Sequence, residues 1–146
     1  MAALQSRTIP RHHPLHAILL AFPIAFFAGA LLADIAYLNS AEIQWTNFAA
    51  WLITGALVFG AVVILWSAIS SLKSRSAITG KPLYFILLII MWISGLVNAF
   101  QHSRDGWSSV GQLGLILSII ATLCALAAGW IAYGAQHGDQ TIGRGA

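Results

Sequence analysis

The stretch from 48 to 72 contains no charged residue, and three further runs of the same character lie at 15–38, 83–100 and 110–135. Asp34 is the one charge that interrupts any of them. At about 1.5 Å of rise per residue even the shortest run reaches about 27 Å as a helix, close to the hydrocarbon thickness of about 30 Å. Each run is therefore long enough to cross a bilayer once.

Composition agrees. Only 8% of residues are charged while 59% are hydrophobic, against about 25% charged in ordinary globular domains. Such a chain lacks the polar side chains to cover a water-facing surface, so its solvent is lipid. The runs show no apolar/polar alternation, which argues against barrel strands, and a helix satisfies its own backbone hydrogen bonds within the segment. The spacing predicts helices over 15–38, 48–72, 83–101 and 110–135, joined by short connections. The expected fold is all-α, an integral-membrane four-helix up-and-down bundle forming a single domain over 1–146 with short polar tails.

The first run resembles a secretory signal, since Arg7 and Arg11 precede it and Ala28-Gly29-Ala30 reads like a cleavage site. Signal cores run about 7–15 apolar residues. This run is longer, and we expect it to be kept as a membrane helix.

The net charge of +3 is small and dispersed, which excludes a nucleic-acid partner. Its distribution carries topology instead. Arg7, Arg11, Lys73, Arg75, Lys81 and Arg144 fall on one side of a four-span arrangement and Arg104 on the other. The positive-inside rule then places both termini in the cytoplasm of a bacterial inner membrane. The lone cysteine, Cys124, lies within the fourth run and offers neither an intrachain disulfide nor a cysteine cluster; a packing role is expected.

Small residues recur at steps of four in the first run (Ala17, Ala21, Ala25, Gly29, Ala33), and shorter series occur as Ala56/Gly60 and Ala121/Ala125/Gly129. Such ridges let helix backbones approach, so they are expected in the bundle interior or at a contact between protomers. Trp45 and Trp107 fall at the outer ends and Trp66 and Trp130 toward the inner ends, as interfacial indoles do. Trp51 and Trp92 lie deeper and are expected to pack.

Polar groups near the hydrocarbon are costly and need partners, and here they form two sets. The outer set is Asp34, Asn98, His102, Arg104 and Asp105. Asn98 and His102 are four apart on one helix face, and Asp34 lies at the same membrane level. The expected arrangement is a polar clasp between the first and third helices, in which Arg104, His102 or Asn98 supports the carboxylate. A small-solute or proton pathway through Asp34, Asn98 and His102, built in an oligomer, is the alternative.

The inner set is His12, His13, His16 and His137, most of it in "RHHPLH" at 11–16. An interfacial collar is the expected reading. Its alternative is a haem b or metal site for an electron-transfer chain, with His13, His16 and His137 as ligands, because haem iron accepts axial imidazoles inside an apolar bundle. Pro14 suits the first turn of a helix, where no amide donor is needed.

No glycine-rich phosphate loop, HExxH motif, nucleophile elbow or close carboxylate pair is present, so no enzyme activity is expected.

The stretches "HPLHAILLAFPIAFFAGALLADIAY" (13–37), "WTNFAAWLITGALVFGAV" (45–62), "LVNAFQHSRDGW" (96–107) and "LSIIATLCALAAGWIAYG" (117–134) resemble the DUF2231 family of bacterial membrane proteins. The resemblance implies a compact four-span inner-membrane protein and no particular reaction. It carries over His13, Pro14, His16, Pro23, Asp34, His102, Arg104 and Asp105, and the redox neighbours of some relatives favour electron-transfer company. Ala17 stands where family members commonly have a second proline, and "GWIAYGAQHGDQ" lacks the usual Glu and Tyr-x-His, so His137 matches only loosely. Together these features lead us to expect a non-enzymatic structural or partner-binding module in the lipid bilayer, acting with a membrane protein partner or as a homo-oligomer.

Overall fold

The computed structural model describes residues 14–73, 81–104 and 111–142, with side chains over 14–72, 82–104 and 111–134. Four helices follow in chain order: α1 (Pro14–Ser40), α2 (Ile43–Lys73), α3 (Lys81–His102) and α4 (Gln112–Ile142). All four are long and apolar enough to span a membrane, as the hydropathy runs require. Pro14 and Pro82 sit in the first turns of α1 and α3, where a missing amide costs nothing.

The helices reach further than the apolar runs. Only Ala41 and Glu42 separate α1 from α2, where hydropathy leaves a longer loop. Hydropathy marks the bilayer crossing, whereas a helix continues while its polar end residues serve it. Asn39 Nδ2 and Ser40 Oγ donate back to the carbonyls of Ile35 and Ala36, each at 2.7 Å. Ala41 then adopts φ 56° and its amide donates to the Tyr37 carbonyl at 2.7 Å, a left-handed cap that ends α1.

The helices form a closed square in which α1 packs on α2 and α4, and α3 packs on α2 and α4. The buried face of α1 is His16, Leu20, Pro23, Phe27, Ala30 and Asp34, joined by Ala33. Steps of four and three alternate along it, the spacing of a left-handed bundle seam. Outward faces carry Leu32, Trp51 and Trp130, at 67, 77 and 82% exposure, as lipid-facing positions should.

One expectation is narrowed here and one corrected. Within the alanine ridge of α1, Ala33 lies in the interior while Ala21 and Ala25 face outward, so for that pair only the contact between protomers remains of the two places expected. Larger side chains of α1 fill the interior, and glycines of the facing helices admit them: Gly95 of α3 lies against Phe27 and Gly129 of α4 against Ile24. Gly60, Ala121 and Ala125 are buried as well. Trp51 is also outward, while Trp92 does pack, donating Nε1–H to the Leu57 carbonyl at 3.0 Å.

The square is built from two hairpins that repeat one another. "PLHAILL" at 14–20 returns as "PLYFILL" at 82–88, and "ALVFG" at 56–60 as "ALAAG" at 125–129. Contacts repeat with the sequence. His16 meets Tyr84 and Asp34 meets His102, both pairs 68 residues apart, and Phe27 meets Gly95 at the same offset. Because these pairs are met in the same order, α1 and α3 run parallel across the diagonal. A Cβ on Gly60 would lie 3.4 Å from Trp92, and one on its counterpart Gly129 would lie 2.7 Å from Ile24, the counterpart of Trp92. Hairpin α1–α2 and hairpin α3–α4 therefore face each other about an approximate two-fold axis along the bundle.

Candidate functional site

The polar groups collect on this axis at both ends of the bundle. At the end bearing the α1–α2 turn, Asp34 is fully buried on α1. Its Oδ1 lies 2.8 Å from Nε2 of His102, with both side chains almost completely shielded. The other ring nitrogen of His102, Nδ1, donates to the Asn98 carbonyl at 3.0 Å, which the position of His102 in the last turn of α3 makes possible. Ser118 on α4 donates its hydroxyl hydrogen to Asp34 Oδ2 and accepts from Asn98 Nδ2 at 2.7 Å.

One turn along α4, Thr122 shares its one hydroxyl hydrogen between the Phe27 carbonyl of α1 at 3.0 Å and the Ser118 carbonyl at 2.7 Å. Three helices are thus joined through one carboxylate. In a medium that offers no water, each such bond replaces an unpaired polar group.

Asp34, Asn98 and His102 come together as a clasp. Arg104 does not take part: it is exposed beyond α3 and makes no ion pair among the described residues, because His102 and Ser118 already occupy the carboxylate. Asp105 lies outside the described residues. Sequence reasoning missed Ser118 and Thr122. Their signal was two hydroxyls four apart in an otherwise apolar helix, a spacing that puts both on one face.

At the opposite end His16 is buried at 2% exposure, inside the bundle rather than in a surface collar. Its Nε2 lies 3.2 Å from Ser67 Oγ and 3.4 Å from Tyr84 Oη, and its ring packs near Trp66 and Tyr84. The cause is the same heptad face that buries Leu20 and Phe27, since His16 begins that stripe. His12 and His13 lie outside the described residues, as does the side chain of His137. Among the described residues no group of three His, Cys, Asp or Glu is placed to hold a metal ion.

Between the two ends the axis is apolar, lined by Leu20, Phe27, Leu88 and Met91. The family model described as "Predicted membrane protein (DUF2231)" matches residues 12–140. The chain belongs to the DUF2231 family. The match takes in α1, α2, α3, nearly all of α4 and both polar clusters. No curated protein and no solved structure matches the chain.

Proposed function

We propose that this DUF2231 protein is a non-enzymatic structural or partner-binding module of the bacterial inner membrane, a bundle held in one arrangement by its buried clasp. The observation that carries this reading is the use of both Asp34 carboxylate oxygens within the chain, one by His102 and one by Ser118. Asp34 is also fully buried, so the carboxylate faces its own chain and not a substrate. Its bonds instead set how α1, α3 and α4 meet.

The basic residues named above put both termini on the cytoplasmic side under the positive-inside rule. The clasp then lies toward the outer face and His16 toward the inner one.

Thermal unfolding in mild detergent, with absorbance spectroscopy and elemental analysis of the same sample, tests the reading. Asp34→Ala should lower the melting temperature while the spectrum stays free of a Soret band and the sample free of stoichiometric iron, zinc or copper. A stoichiometric haem or metal lost on His16→Ala would overturn it in favour of electron transfer.

A further inference from the structure

His102 is held in a way that fixes where its hydrogens are. The carbonyl of Asn98 can only accept, so the contact at Nδ1 requires a hydrogen on Nδ1. In a neutral imidazole Nε2 is then a bare lone pair. Yet Nε2 stands 2.8 Å from Oδ1 of Asp34, a separation at which a lone pair and a carboxylate oxygen repel. A hydrogen bond at that distance needs a proton between them. No second route supplies it, because Ser118 spends its one hydrogen on Oδ2 and receives its own from Asn98.

We infer that the Asp34–His102 contact is a proton-binding site, holding one proton between His102 Nε2 and Asp34 Oδ1 where the two hairpins meet. The proton resides on the nitrogen, as imidazolium facing carboxylate. The pair then carries no net charge, which is what a site without water tolerates. Loss of the proton would leave one uncompensated negative charge buried among α1, α3 and α4, a costly state in low dielectric. Proton occupancy and the grip between the hairpins are therefore coupled.

Few titratable side chains stand near this pair among the described residues. On α1 the next titratable side chain is the half-buried Tyr37, the α1–α2 turn carries exposed Glu42, and beyond α3 Arg104 is exposed. The adjoining segments of α2 (43–54) and α4 (112–122) contain no titratable residue. Exchange has a short way out, since Ser103 and Arg104 immediately after His102 are exposed. Toward the other end Phe27, Met91, Leu88 and Leu20 intervene. The site thus takes up a proton from one side and stores it.

The inference rests on the clasp reading, because the same side chains serve both, and one experiment separates them. Nitrogen-15 spectra of full-length, histidine-labelled protein in micelles report each ring nitrogen directly, with His102→Gln identifying the resonance. We expect Nδ1 protonated and Nε2 protonated or sharing a proton at pH 8, where a free imidazole of pKa about 6.5 is bare. Asp34→Asn should convert Nε2 to the bare type. A bare Nε2 in the folded wild-type protein at pH 8 would overturn the proton site; if Asp34→Ala still lowered the melting temperature, the clasp would stand without it. Should Asp34→Asn fail to fold, the wild-type spectrum alone decides.

Discussion

Phe27 occupies the volume that any side chain at Gly95 would need: a Cβ there would come within 2.5 Å of the ring. This is a diagonal contact between parallel helices, and it marks the level at which α1 and α3 come close enough for the clasp to close. Gly95→Ala should therefore destabilise the bundle by about 1–3 kcal/mol, the usual cost of overpacking a filled core. Gly129→Ala should cost less, because the Ile24 Cδ1 it would meet at 2.7 Å is the end of a flexible chain. Gly134→Ala, with nothing within 4 Å, should gain about 0.5–1 kcal/mol from helix propensity. Melting temperatures in one detergent would give the order, and Gly95→Ala proving as harmless as Gly134→Ala would refute the diagonal contact.

Asp34 should be the most sensitive polar position. Asp34→Ala strands His102 Nε2 and the Ser118 hydroxyl in a dry interior, which costs about 1–3 kcal/mol for groups left unsatisfied. Ser118→Ala removes the donor to Asp34 and the acceptor of Asn98 Nδ2 and should cost less, about 1 kcal/mol in all, since interhelical hydrogen bonds in membranes average about 0.6 kcal/mol each. Arg104→Ala should leave the melting temperature unchanged, since the exposed guanidinium makes no ion pair among the described residues. Equal losses for Arg104→Ala and Asp34→Ala would contradict this arrangement.

The level of each element was legible from the chain because lipid imposes a minimum apolar length, and Asp34, Asn98 and His102 were recognisable as partners because three costly groups shared one depth. Which way α1 turned was not legible. Between His16 and Asp34 its faces are all apolar, so along that length hydropathy did not tell the alanine ridge at Ala21 and Ala25 from the stripe containing Leu20 and Phe27, and complementarity with Gly95 and Gly129 decides it. The repeat of "PLHAILL" in "PLYFILL" held that information, since equal positions in facing hairpins bury equal faces. Ser118 escaped notice for a related reason: a serine can return its hydroxyl to its own helix, so it announces no partner by itself.

Ala41 carries a cost that a glycine would not. At φ 56° its Cβ crowds the neighbouring carbonyl, a penalty of about 1–2 kcal/mol for an L residue in the left-handed region. Ala41→Gly should raise stability by up to about 1 kcal/mol, the remainder being offset by the greater freedom of glycine in the unfolded chain. A higher melting temperature with unchanged helix content by circular dichroism is the expected result. A lower one would mean that the α1–α2 turn is closed in some other way.

Trp51 and Trp92 differ in what surrounds them, and the difference is measurable. Trp92 donates to the Leu57 carbonyl across the α2–α3 contact, so Trp92→Phe should cost about 1 kcal/mol for the lost interhelical bond. Trp51 is 77% exposed on the outer face of α2, where lipid replaces lipid-like side chains at no gain, so Trp51→Phe should change stability by less than about 0.5 kcal/mol. In single-tryptophan proteins reconstituted with brominated lipids, Trp51 fluorescence should be quenched strongly and Trp92 weakly. Strong quenching of both would place Trp92 on the lipid side and break the α2–α3 seam described above, whereas protection of Trp51 in the membrane but not in detergent would reveal a protein neighbour covering that face.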